Sequence, residues 1–352
     1  MNQIVSAACE LIDRGESFVL ATIVSRSGST PRTAGSRMIV TADGSGIGTV
    51  GGGLLEAEVM SRAKTLIQTG QSTILPFDLS YKNVDTMDMI CGGRAEVLLD
   101  CIRPTSAILD IFHRWRGLLA ERKKGLLLTV VDVNDETVER IDHCLAVNED
   151  EILGHWPLGE AALEKVRQEA AQISSAITLT IDEGFVLLEP VQPVCTLYLF
   201  GAGHVALFTA AMAAMVGFRV SVADDREEFA NRQRFPDAHE IRALENFERA
   251  FDGIGVGTQD YIVILTRGHL HDKTVLARAL RTEAGYIGMI GSRKKRDAIY
   301  GVLLKEGATQ ADIERVHSPI GLAIDAETPE EIAVSIVAEM IQHRANKHKA
   351  VR

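Results

Sequence analysis

Aromatic residues are scarce. Phe, Tyr and Trp make up 5% of the 352 residues, too few for the stacking platforms that hold single-stranded nucleic acid. Basic residues do not predominate: 37 Lys and Arg stand against 48 Asp and Glu, a formal charge of −11. Proteins that track a phosphate backbone carry the opposite balance, so DNA or RNA is disfavoured as the main partner, although a local basic cluster can still hold one phosphate-bearing ligand. Long apolar runs are missing too. The longest, 205–218, is interrupted by Thr209 and Gly217 and is too short to span a bilayer. Cysteine occurs five times, at Cys9, Cys91, Cys101, Cys144 and Cys195, in odd number and never as a CxxC pair, which argues against a disulfide framework. No Cys/His grouping has zinc spacing, and no signal-type apolar segment opens the chain. The expectation is a cytoplasmic protein with free thiols and neither membrane nor metal contact.

What is present describes a globular chain. Apolar residues reach 46% and charged residues 24%, enough to bury cores, and the length suggests two or three domains. Ile4, Val5, Ala8, Leu11 and Ile12 share one helical face, with Gly15 as a stop. FVLATIV at 18–24 reads as a buried strand, 27–36 as a loop and 37–41 as a second strand. A helix is predicted over 54–69, strands near 73–79 and 95–100, helices near 106–121 and 160–174, a strand near 126–133 and a hairpin around 182–184. EPVQP at 189–193 reads as a linker, because two prolines resist both helix and central strand. Beyond it, strand–loop–helix units alternate, the pattern of a parallel sheet covered on both faces. The predicted fold class is therefore α/β. A C-terminal Rossmann-like domain (191–352) follows an N-terminal α+β domain (1–190) with glycine-rich loops, itself divisible at 103/104.

The clearest motif is Gly201-Ala202-Gly203-His204-Val205-Ala206, a GxGxxA string directly after an apolar strand and opening a helix. Such a turn lets backbone N–H groups approach a pyrophosphate at the helix N-terminus. Asp224, about twenty residues on at the end of the next strand, is placed to hold ribose hydroxyls. TRGHLHD puts Arg267 and His269 after the fourth strand, and GSRKKR puts Ser292, Arg293 and Lys294 after the fifth. The carboxyl ends of strands line one crevice in an open α/β sheet, so these residues are expected to converge there with His204. Cations beside helix N-termini repel the dipole unless an anion is present, which favours an anion site.

The N-terminal half carries its own constellation. SGSTPR supplies Ser29 and Arg32; GTVGGGLLEAEV supplies Gly51, Gly52 and Gly53 before a helix bearing Glu56. Those glycine N–H groups could bind an oxyanion, or could simply form a tight turn and helix cap. The Lys-Ser/Thr of a P-loop is missing, so an ATPase reading fails. Cys91, in MICGG, is the thiol placed where a thiol could work, since its neighbouring glycines leave it uncovered and offer N–H donors to a thiolate.

The strings ATIVSRSGSTPRTAGSRM, GTVGGGLLEAEV, ICGG, LFGAGHVA, ADDREEFAN, LTRGHLHD, YIGMIGSRKKR and HSPIGLAIDAETPEEIAVSIVAE run from Ala21 to Glu339. Taken together they resemble the xanthine dehydrogenase accessory proteins of the XdhC/CoxI family. The resemblance implies a homodimeric chaperone that binds molybdenum cofactor (molybdopterin) and guards it while its terminal sulfur is installed. It would then deliver the cofactor to a xanthine dehydrogenase-like molybdenum hydroxylase, with a cysteine desulfurase as a further partner. In that reading the 201–206 loop anchors a phosphate, and Asp224 meets a polar edge of the ligand. Arg267, His269, Arg293 and Lys294 supply countercharge, and the loops at 27–32 and 51–56, with Cys91, close over the molybdenum end. Two alternatives stand beside it. One is an NAD(P)-dependent oxidoreductase with His204 or His269 as proton donor. The other is a scaffold without a ligand.

Overall fold

The computed structural model describes residues 2–28, 32–78, 93–134, 137–148, 151–181 and 184–350. The chain divides into two compact units, Met1–Pro193 and Val194–Ala350.

In the first unit, helix α1 (Asn2–Asp13) leads into β1 (Phe18–Ser27), β2 (Arg37–Val40), β3 (Gly46–Gly48), α2 (Gly53–Thr69), β4 (Thr73–Asp78) and β5 (Arg94–Ile102). These strands form an antiparallel sheet in the order β3-β2-β1-β5-β4. Next come α3 (Ser106–Ala120), β6 (Gly125–Asn134), β7 (Thr137–Ala146), β8 (Ile152–Gly154), α4 (Glu160–Ala170), β9 (Ile177–Ile181) and β10 (Gly184–Val191). They make a second antiparallel sheet, β8-β7-β6-β10-β9. Apolar residues of α1 and α3 join strand residues of both sheets, Leu20, Ile39, Leu127 and Leu145, in one buried cluster. Helix α2 buries Leu55, Val59 and Ala63 against the first sheet.

Two sequence expectations change here. The 189–193 linker begins inside a strand: Glu189, Pro190 and Val191 pair with Leu127, Leu126 and Gly125. The proline is tolerated because β9, the other neighbour, ends its pairing at Leu188. Glu189 is buried and forms an ion pair with Arg37, so that segment is core. β1 also runs to Ser27, past the predicted Val24, because after an irregularity at Ile23/Ser25 it continues pairing with β5 up to Arg94.

The second unit runs β11 (Thr196–Phe200), α5 (His204–Met215), β12 (Arg219–Asp224), β13 (Glu240–Ala243), β14 (Tyr261–Ile264), α6 (His269–Ala279), β15 (Tyr286–Met289), α7 (Arg293–Lys305), α8 (Gln310–Glu314), β16 (Val316–His317) and α9 (Pro329–Ala350). Its six strands are parallel, in the order β13-β12-β11-β14-β15-β16. Alternation sorts the side chains: Leu197, Leu199 and Val263 pack with α5 and α9, whereas Tyr198, Phe200 and Ile264 pack with α6 and α7. Helices thus cover both faces, as expected.

An aromatic ladder pins α9. Tyr261, Tyr286 and His317 stack across β14, β15 and β16, and His343 meets all three rings edge-on or tilted. His343 Nδ1 lies 3.1 Å from the Tyr261 hydroxyl, and Glu339 pairs with His317 at 2.7 Å. Burial, with help from His317 and Lys347, holds the His343 pKa below its ordinary value of 6.5, while Glu339 opposes that shift. A base with a lowered folded pKa stabilises the protein above its unfolded pKa, and that stability is lost as pH falls through the folded value. The melting temperature of the wild type is expected to drop on acidification from about pH 7 to about pH 5, and His343→Gln should flatten that slope. An identical slope in His343→Gln would assign the acid sensitivity elsewhere.

Candidate functional site

The second unit has a topological switch at β11: the chain builds outwards through β12 and β13, then returns to start β14 on the other side. In an open α/β sheet the carboxyl edge at such a switch point is where ligands bind. Gly201 anchors the first loop. Its N–H donates to Ala223 O at 2.7 Å, its φ is 105°, and a Cβ would lie 2.3 Å from Leu265 O. Glycine is therefore required at 201 by the fold itself. Gly203 differs. Its φ of −71° suits any residue, and a Cβ there would meet nothing within 4 Å. It forms the N-cap of α5 with no side chain capping the helix, so the amides at the start of α5 are open to an acceptor. His204 is exposed on the first turn, and Val205 packs towards the core.

Asp224 has another role than the sequence suggested. It is 1% exposed, and both oxygens are engaged. Ala202 N–H donates to Oδ2 at 2.7 Å, Arg226 Nη2 to Oδ2 at 3.0 Å, and Arg226 N and Nε to Oδ1 at 3.0 and 2.8 Å. Burial opposes ionisation, yet the bonds from Arg226 and Ala202 hold its pKa below the usual carboxylate range. The buried carboxylate thus braces the glycine loop through Ala202 and accepts four hydrogen bonds from Ala202 and Arg226. The exposed side chain of Arg267 reaches its neighbour Asp225 at 2.8 Å, linking the loops that follow β14 and β12.

The cations at the edge divide into two groups. Lys295 turns inward to Asp272, a fully buried carboxylate that also accepts from Thr266 Oγ1 at 2.6 Å. Burial raises the Asp272 pKa, with Lys295 and Thr266 opposing. Arg296 donates to Ser318 O at 3.1 Å. Ser292 accepts from Lys295 N–H at 3.2 Å and caps α7. Arg293, Lys294, His204 and His269 are exposed, and among the described residues their side chains form no hydrogen bond or ion pair. The N-cap of helix α6 is Gly268 (φ 88°), which offers no side-chain cap. The edge therefore carries two uncapped helix N-termini and unpaired cations, suited to an anion. Sequence reasoning overlooked Asp225, Arg226, Phe229 and Arg234, all in the charged string directly after β12.

The N-terminal constellation is occupied by its own acid. Glu56 Oε1 accepts from the N–H groups of Val50 (3.1 Å), Gly51 (3.3 Å) and Gly52 (2.9 Å), and Thr49 Oγ1 also donates to it. Burial raises its pKa, but those hydrogen bonds outweigh it and the net direction is down. The Gly51–Gly52 amides thus hold Glu56, and no external oxyanion is needed to satisfy them. Gly53, with φ 57°, begins α2. Arg32 is exposed. Ser29 and Cys91 lie outside the described residues. The remaining thiols, Cys9, Cys101, Cys144 and Cys195, have pKa values raised by burial, Cys144 to about 12, as expected of inert packing residues. Among the described residues, no group of three or more His, Cys, Asp or Glu could hold a metal ion, and no helix is long and apolar enough to cross a membrane.

Fold and edge together define a two-unit α/β protein whose C-terminal unit is a Rossmann domain with a glycine loop open to an anion. The chain belongs to the XdhC and CoxI family: residues 197–340 match the XdhC Rossmann domain and residues 11–78 the XdhC and CoxI family model. It is 29% identical over 335 residues to a probable xanthine dehydrogenase subunit from Bacillus subtilis, covering 95% of each chain. It is 24% identical over 343 residues to the uncharacterized protein YqeB of Escherichia coli, where it spans 46% of the longer chain. A crystal structure from Bacillus halodurans, described as a xanthine dehydrogenase, superimposes with a TM-score of 0.80 at 26% identity and 96% coverage of both chains.

Proposed function

We propose that the protein is an accessory factor for a xanthine dehydrogenase-like molybdenum hydroxylase, and that it binds the phosphate end of molybdopterin at the carboxyl edge of its Rossmann domain. The observation that supports this is the start of α5 at Gly203: no side chain caps the helix, and a Cβ there would meet no atom within 4 Å, which leaves room for a phosphate to approach the backbone amides. The residues fit a phosphorylated ligand. The open amides at the start of α5 would receive the phosphate, while Arg293 and Lys294, unpaired at the start of α7, make the local potential positive. Bound molybdopterin would supply a dithiolene that ligates molybdenum. The chain's own part is to hold the anion until transfer. The engagement of Asp224 by Arg226 and Ala202 leaves less support for an NAD(P)-dependent oxidoreductase, which would use that acid on ribose.

The test is native mass spectrometry and absorbance of protein purified from molybdate-replete cells. The expected result is a bound phosphorylated pterin. Its occupancy should fall when Arg293→Ala and Lys294→Ala are combined, and its release should become less salt-dependent because screening acts on the interaction removed. A bound nicotinamide nucleotide, or unchanged salt dependence in the double variant, would contradict the proposal.

A further inference from the structure

Arg234 lies 32 residues downstream of the glycine loop, yet its Nη2 donates to Ala202 O at 3.2 Å. On the other side of the same residue, Ala202 N–H donates to Asp224 at 2.7 Å. Two successive peptide groups, one on each side of Ala202, are therefore each gripped by a charged side chain. In a trans peptide the C=O and the next N–H point in opposite directions. A guanidinium holding Ala202 O thus turns the Gly203 N–H away from Arg234, and among the described residues that N–H has no acceptor. Both gripping groups are themselves braced. The Arg226 and Arg234 guanidiniums lie 3.8 and 5.0 Å from the ring of Phe229, and Arg226 neutralises Asp224.

We propose that Arg234 is a positioning residue: with Asp224 it clamps the peptides around Ala202 and aims the Gly203 N–H at the anion. A Gly-Ala-Gly turn left to itself loses much conformational freedom on binding. A clamp that imposes the bound geometry beforehand raises affinity without touching the ligand. The inference rests on the anion site proposed above, so the experiment has one readout that needs no ligand.

Hydrogen–deuterium exchange of the segment 199–205 is compared in the wild-type full-length protein, Arg234→Ala and Arg234→Lys, alongside melting temperature and calorimetric titration with ADP and with inorganic pyrophosphate. In Arg234→Ala the segment should exchange faster and affinity for both probes should fall about tenfold, as expected for a lost hydrogen bond from a charged group. Arg234→Lys keeps a donor and should recover part of both effects at an unchanged melting temperature. Unaltered exchange in Arg234→Ala overturns the clamp. So does exchange that rises equally in both variants together with a lowered melting temperature, since that marks a general packing role. Weaker binding with unaltered exchange would make Arg234 a direct ligand contact and overturn it too. If the wild type binds neither probe, the anion site fails, while the exchange comparison still decides the clamp.

Discussion

Gly203→Val is expected to fold like the wild type and to lose its phosphate-bearing ligand. The added Cβ meets no atom within 4 Å, and the backbone φ of −71° is ordinary for valine, so the melting temperature should move little. A β-branched side chain would nevertheless fill the space in front of the α5 amides and keep a phosphate beyond hydrogen-bonding distance. The loss should reach about 100-fold in affinity, close to 3 kcal/mol. Gly201→Ala is the counterpart with the opposite signature. Its Cβ would sit 2.3 Å from Leu265 O at a φ of 105°, so folding should suffer before binding can be measured. Parallel thermal unfolding and calorimetry separate the two. Wild-type affinity in a folded Gly203→Val protein would remove the crevice from the binding site.

Arg37→Ala carries the largest expected effect on stability. The Arg37 and Glu189 side chains are 6% and 4% exposed, and the guanidinium also donates to Thr22 Oγ1 at 3.3 Å and lies 5.0 Å from the Trp115 ring. Removing one partner leaves a buried charge uncompensated, at a cost of about 3–5 kcal/mol. Burial already raises the Glu189 pKa above its ordinary value, against the opposing pull of Arg37 and His143. Without Arg37 the carboxyl should be neutral over a wider range. A folded pKa above the unfolded one means stability retained at low pH and lost as pH rises, so the deficit should grow from acidic to neutral pH. Arg37→Met combined with Glu189→Leu, which replaces both charges by apolar volume, should restore much of the loss. Chemical denaturation at two pH values checks all three statements. A deficit below about 1 kcal/mol would mean the pair is solvated in solution.

The legible parts of the chain share one property: their signal is local. The strand–loop–helix units from 196 onwards follow from short β-branched runs, glycines at the turns and apolar helices, each readable within a dozen residues. Helix α1 is equally plain, and Ile4, Val5, Ala8, Leu11 and Ile12 are all buried. Strand β7 escapes such a reading. TVERIDHCLA is largely polar, and only Cys144 and Leu145 are buried in it; its strand character comes from pairing with β6. ADDREEFAN, at the end of β12, is recognisable as a family string, but it ends at Asn231, and nothing in the residue order says that Arg234 folds back onto Ala202.

The sequence by itself determined that residues 201–206 form a glycine turn between a buried strand and a helix, because that geometry depends on φ angles and sterics of adjacent residues. It also placed Arg267, His269, Ser292, Arg293 and Lys294 after strands, and the parallel sheet put them at one edge. Only the tertiary structure decided what each charge does. Asp224 and Glu56 are both candidates for a ligand site by sequence; in the folded chain Asp224 accepts from Arg226 and from the Ala202 N–H of the glycine loop, and Glu56 accepts from the amides of its own loop. Lys295 turns inward to Asp272, whereas Arg293 and Lys294, its neighbours in sequence, remain exposed. Pattern and spacing fix where a side chain leaves the backbone, but the partner it finds is set by which buried carboxylate or unpaired amide lies within about 3 Å in the folded chain.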